Sequence, residues 1–119
     1  MRKEIEVLKD HAELPAAPPL EGGFARIHYY RPDARYSGWG LHVWGDADVS
    51  VTWTEPMPPT GEDPMGLYWD IPLKDGAAEV GFIVHKGDVK DPGSDMFYRP
   101  ETHGDEVWIV SGRPEIMTE

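Results

Sequence analysis

Apolar and polar residues alternate along this chain in short runs, and no window keeps the spacing of a helix for three turns. The runs cover 25–30, 38–44, 49–54, 66–73, 79–85, 96–99 and 106–111; they are rich in β-branched and aromatic residues and separated by Gly, Pro and Asp clusters. Strands of that length and spacing predict an all-β fold, an immunoglobulin-like antiparallel β-sandwich. Successive side chains on a strand point to opposite faces, so each run divides in two. Trp39, Leu41 and Val43 make a core row, leaving Gly40, His42 and Trp44 on the outward side. Ala25, Ile27 and Tyr29 make another, leaving Arg26, His28 and Tyr30 outside, so that two neighbouring strands present polar aromatics together. Val49, Val51 and Trp53 read as a third buried row, and Leu67, Trp69, Ile71 and Leu73 as a fourth, whose end Pro72 demotes to an edge.

The first run is preceded by a highly charged stretch and by Leu14-Pro-Ala-Ala-Pro-Pro-Leu20 with Gly22-Gly23. A Pro/Ala stretch stays extended and does not pack as a helix, so residues 1–23 are expected to form a flexible tail or linker. The ordered module is expected over 24–116, with 117–119 as a linker remnant. No apolar run approaches the roughly 20 residues that span a bilayer, and the start lacks the pattern of a signal peptide. That start is expected of a cytosolic protein or of a module cut from a longer chain.

Composition narrows the chemistry. The chain has 119 residues with a formal net charge of −11, which repels a nucleic-acid backbone and an anionic membrane alike. It has no Cys, which removes disulfides, thiolate zinc sites and cysteine nucleophiles. The five His include no i, i+4 helical pair, and there is no Gly-x-Ser-x-Gly elbow or Gly-rich phosphate loop. Nothing in the sequence calls for a catalytic residue, a metal or a cofactor. What stands out is the outward set of rings, His42 and Trp44 with His28 and Tyr30, beside the stretch His85-Lys-Gly-Asp-Val-Lys-Asp-Pro-Gly-Ser-Asp95, which reads as a long charged loop. An indole face covers the apolar side of a pyranose while Lys and Asp bond its hydroxyls, so this combination suits a neutral sugar. The bland alternatives are an indole covered by a loop and a merely solvated turn.

Several ordered motifs carry a resemblance. Arg26-Ile-His-Tyr-Tyr-Arg-Pro-Asp33, Tyr36-Ser-Gly-Trp-Gly-Leu-His-Val-Trp-Gly-Asp46, Thr60-Gly-Glu-Asp-Pro-Met-Gly66, Val80-Gly-Phe-Ile-Val-His-Lys-Gly-Asp88, Lys90-Asp-Pro-Gly and Glu106-Val-Trp-Ile-Val-Ser-Gly112 together resemble the family 41 carbohydrate-binding modules of pullulanases. The resemblance covers about residues 24 to 116. It implies a non-catalytic β-sandwich that binds α-glucans such as amylose, pullulan, glycogen and malto-oligosaccharides, with or without α-1,6 branches. It also implies a partner in the same chain, the catalytic domain of a secreted pullulanase-type enzyme, and so an extracellular or cell-surface location. In that family two aromatics two positions apart stack on consecutive glucoses while a Lys and an Asp bind hydroxyls. Carried over, these are His42, Trp44, Lys86 and Asp95, with Asp91 as the alternative acid. His42 departs from the pattern, since several relatives place Trp there.

The spacing agrees with that reading. Residues i and i+2 on one strand face lie about 7 Å apart, and a curving α-1,4 chain can lay neighbouring sugars on two such rings. Few contacts set against the cost of association predict micromolar to millimolar affinity. Two other readings compete: an immunoglobulin-like spacer that binds nothing, and a small glycoside hydrolase using two of its many carboxylates.

Overall fold

The computed structural model describes residues 15–118. The strands in chain order are β1 (Phe24–Tyr30), β2 (Gly40–Gly45), β3 (Gly61–Asp63), β4 (Gly66–Pro72), β5 (Val80–Lys86), β6 (Val89–Tyr98) and β7 (Glu106–Val110), with a single helical turn, α1 (Pro100–His103), before the last. They form a four-stranded sheet, β3-β4-β1-β7, and a three-stranded sheet, β2-β5-β6. The all-β sandwich is as the alternation predicts, but it is not wholly antiparallel: β1 and β7 run parallel, Ile27 opposite Val107 and Tyr29 opposite Ile109.

One core cluster draws on both sheets. Ala25, Ile27, Tyr29, Trp69, Ile71, Val107 and Ile109 come from the larger, and Leu41, Val43, Val80, Phe82, Val84, Met96 and Tyr98 from the smaller. These are the inward rows of the period-2 pattern, and removing them from water is the main term holding the sheets together. The indole nitrogens of the two core tryptophans find carbonyls, Trp39 that of Arg35 at 3.1 Å and Trp69 that of Met57 at 2.9 Å. Their polar ends therefore bring no unpaired donor into the core.

Four expectations are corrected. First, 49–54 is not a strand. Its backbone bonds close a tight turn, Thr52 with Glu55 at 3.1 and 3.3 Å; Val49 and Val51 pack partly against the core, whereas Trp53 belongs to no core cluster. Second, 85–95 is not a loop but a hairpin. β5 ends at Lys86, Gly87 and Asp88 turn the chain, and β6 continues from Val89. β6 is an edge strand, and charges with a Pro on an edge are how a sheet avoids pairing with a neighbour, which is why its first half reads as a loop. Third, His28 and Tyr30 are not surface groups beside β2. Their strand lies inside the other sheet, flanked by β4 and β7, and the two residues are 3% and 2% exposed. The His28 ring stacks on Trp108 at 5.0 Å and its Nε2 lies 2.5 Å from Glu106. Tyr30 joins Trp108, Val110 and Met117 in a second apolar cluster. Fourth, the expected linker remnant 117–119 is tied down at its first residue: Met117 is buried and exchanges backbone bonds with Trp108 at 2.8 and 2.9 Å. At the other end, residues 1–14 of the expected tail lie outside the described residues, and 15–21 form no strand.

Asp91 is likewise a structural residue. It is buried and accepts bonds from the Tyr29 hydroxyl, Ser111 Oγ at 2.6 Å, the Gly112 amide at 2.7 Å and Arg31 Nη1 at 3.1 Å. The acid thus ties the small sheet to the large one. Asp91→Ala takes the acceptor from Tyr29, Ser111 and Gly112, while Arg31 Nη1 keeps Tyr29 Oη at 2.7 Å and Ser111 Oγ at 3.2 Å, and is expected to lower stability by about 3 kcal/mol, read from the midpoint of urea unfolding. A change below about 0.5 kcal/mol would show that the network rearranges at no cost.

Candidate functional site

The outer face of the three-stranded sheet carries the rings, and register sets them in rows. Trp44, Gly81 and Phe97 stand opposite one another across the sheet. One step along, His42 faces Ile83, and beside Ile83 the partner strand slips register between Val84–Asp91 and Phe82–Met96. Asp95 lies in that slipped stretch, exposed, on the same side as Phe97 because Met96 between them points into the core. A third row is Gly40, His85 and Lys90.

The first row shows why the middle residue is glycine. A Cβ built on Gly81 would fall 2.1 Å from Cε2 of Trp44, so the indole lies flat over bare backbone, where any side chain would lift it. Phe97, 39% exposed, meets Trp44 edge-on with centroids 6.1 Å apart. Edge-to-face packing fixes the ring's tilt while leaving its face half open.

His42 is the centre of the site. Its centroid is 5.6 Å from that of Trp44 and 5.4 Å from that of Trp53, with interplanar angles of 40° and 73°. Trp53 comes from the turn at 52–55, stacks on His85 at 3.7 Å and 4°, and donates its indole N–H to Asp88 Oδ1 at 3.0 Å. Lys90 holds its ammonium 5.6 Å from the Trp53 centroid. Burial, and then the neighbouring His85, push the His42 pKa below the ordinary imidazole value, so His42 meets a ligand at neutral pH as a neutral ring. A hollow of about 350 Å³ adjoins these rings, lined by Gly38, Trp53, Thr54, Pro56, His85, Gly87 and Asp88.

Of the residues expected at a site, His42, Trp44 and Asp95 lie on the outer side of the small sheet, and Lys86 does not share that side. That lysine shares strand parity with the buried Val84 and Phe82, and its stem lies against Gly38, where an added Cβ would be 3.0 Å from Lys86 Cε. Lys90, opposite His85, is the lysine on the ring-bearing face. Trp53 and His85 were not legible as a pair: alternation puts Trp53 in a buried row and His85 opens the stretch read as a loop, and nothing local announces that the 52–55 turn folds the indole onto that imidazole. Among the described residues no group of three or more His, Asp and Glu stands close enough to hold a metal ion, and no helix is long and apolar enough to cross a membrane.

A small β-sandwich with half-open rings and flanking charges on one sheet face is built as a binding module. The chain belongs to the family described as the bacterial pullanase-associated domain, whose model matches residues 23–118. Among curated proteins it is 46% identical over 84 residues to an alpha-amylase of Streptomyces lividans, covering 71% of this chain and 9% of that protein. It is 34% identical over 87 residues to Pullulanase A of Streptococcus pneumoniae, covering 71% of this chain and 7% of that protein. The chain thus spans less than a tenth of these relatives. Among solved structures, one described as alpha-glucan binding by a streptococcal virulence factor superposes with TM-score 0.74 at 30% identity, over 87% of this chain and 50% of the other. Another, a product complex of a multi-modular glycogen-degrading pneumococcal virulence factor, gives TM-score 0.75 at 28% identity, over 87% of this chain and 11% of the other.

Proposed function

We propose that this chain is a non-catalytic module that binds α-glucan chains and holds an attached starch- or glycogen-degrading catalytic domain against its substrate. The observation that carries this reading is Trp44 spread flat over Gly81 with His42 tilted beside it: two ring surfaces at an angle, on an open face. A sugar lays its apolar C–H face on such a ring by dispersion and desolvation. The 40° between the rings suits a chain whose residues turn as they advance, and a flat β-1,4 ribbon fits it poorly. Asp95 and Lys90 at the margin bond hydroxyls, and such charge-assisted bonds contribute about 1.5–3 kcal/mol each. Membership of the pullanase-associated family and the likeness to a structure described as binding alpha-glucan support the ligand class.

The parent is a glycoside hydrolase of pullulanase or amylase type, secreted or displayed at the cell surface. Its module contributes by proximity: a weak contact tethered to the catalytic domain raises the local concentration of substrate without taking part in bond cleavage. In native gels cast with pullulan or amylopectin the chain is expected to migrate more slowly than in plain gels, and to be unaffected by a soluble cellulose derivative. Equal mobility in every gel would favour a spacer, and release of reducing sugar from pullulan by the chain alone would show a hydrolase.

A further inference from the structure

We propose that Trp53, backed by His85 and tied to Asp88, forms a third stacking surface, extending the site past Trp44 and His42 into the neighbouring hollow for a longer glucan chain. This rests on the α-glucan reading and adds to it a dependence on chain length. Three observations carry it. The centroids follow one another from Trp44 to His42 to Trp53 at 5.6 and 5.4 Å, with Trp53 turned 73° from the His42 plane, so the third ring stands as a wall at the end of the row, where a curving chain would meet it. The Trp53 ring is fixed by its stack on His85 and its bond to Asp88, and a ring already held loses little freedom when a sugar meets it. Beyond it lies a hollow of about 350 Å³ with Thr54, the Gly87 backbone and Asp88 in its wall. That volume is at the lower end of small-ligand sites, and its polar groups lie at the end of a row of rings, where hydroxyls of a further sugar would arrive.

The hairpin turn explains how the residue came to be available. Lys86-Gly87-Asp88 offers no ring of its own, and the 52–55 turn, which forms no strand, brings an indole to that end of the sheet instead. The occupant is the continuation of a glucan chain laid on Trp44, since the next ring centroids follow at 5.6 and 5.4 Å. Maltose reaches two rings; maltotetraose is long enough to reach three.

The test is calorimetric titration of the wild-type chain, Trp53→Ala and Trp53→Phe with maltose and with maltotetraose, each variant checked by circular dichroism and thermal melting. Trp53→Ala is expected to weaken maltotetraose binding by roughly five- to tenfold and maltose binding by less than about twofold. Trp53→Phe, which keeps a ring over His85 but loses the bond to Asp88, should fall between. An unchanged maltotetraose affinity in Trp53→Ala would overturn the third surface, and so would an equal loss for both sugars, which marks Trp53 as structural support. If Trp53→Ala does not fold, Trp53→Phe decides by the same comparison. Absence of heat from the wild-type chain with either sugar would overturn the α-glucan reading itself, and the third surface with it.

Discussion

Trp44→Ala is expected to abolish measurable α-glucan binding while the fold stays intact. The indole is the largest open ring on the small sheet, lying over Gly81 and braced by Phe97, and it is absent from both core clusters. Removing a tryptophan that anchors a binding surface costs about 2 kcal/mol or more, roughly a thirtyfold loss. A module that starts at about 0.1 mM or weaker then passes beyond detection, and a tighter one falls by at least that factor. The melting temperature should fall by no more than about 5 °C, because the lost contacts are the edge-to-face pair with Phe97, the tilted pair with His42 and part of one buried ring face. A variant that unfolds would show that the ring supports the sheet and not a ligand. Retained affinity would move the site elsewhere.

Gly81→Val is expected to match that loss without touching any group that meets the sugar. A Cβ here lands 2.1 Å from the indole, far inside contact distance, so Trp44 must swing off the sheet and the flat surface is lost. Valine suits a strand in itself, and the backbone pairing of Gly81 with Trp44 and Phe97 need not change. The variant should therefore fold, with an overpacking cost of about 1–3 kcal/mol. The double variant Gly81→Val/Trp44→Ala separates the causes. Once the indole is gone the valine has room, so the double variant should be more stable than Gly81→Val alone, a non-additivity read from paired urea curves. Wild-type binding by Gly81→Val would mean that the indole over Gly81 is not the stacking surface.

Alternation was enough to place much of the core, because a strand that buries one face repeats its apolar residues every second position: Ala25 and Ile27, Leu41 and Val43, Trp69 and Ile71 all fall where the pattern puts them. It also set His42 and Trp44 outward on one strand. It failed where alternation has no bearing or where charge conceals it. Gly61-Glu-Asp63 is a three-residue edge strand with no apolar position to repeat, and the first half of β6 is charged because an edge needs protection from other strands. Outwardness was mistaken for exposure at His28 and Tyr30, since the outer face of the larger sheet carries its own cluster around Trp108 and Met117. Lys86 was carried over from the resemblance, and a stretch read as a loop gives its side chains no face; strand pairing opposes Lys90 to His85 and gives Lys86 the parity of Val84. Trp53 shows the limit of local pattern: Val49-Ser-Val-Thr-Trp53 alternates well, yet the turn that follows and the stack on His85 decide where the indole goes.

The surface charge has little part in this. The chain carries a formal net charge of −11, but a neutral oligosaccharide neither releases counterions nor is steered by the field, so affinity should hold steady as salt is raised.

The most direct measurement of the central claim is calorimetric titration of the chain with maltotetraose, read together with tryptophan fluorescence and with cellotetraose as control. Saturable heat and a fluorescence change for the α-linked sugar alone are the expected result: a half-exposed indole meets a curved glucan and not a flat one. Equal responses to both sugars, or none to either, would contradict an α-glucan surface built on Trp44 and His42.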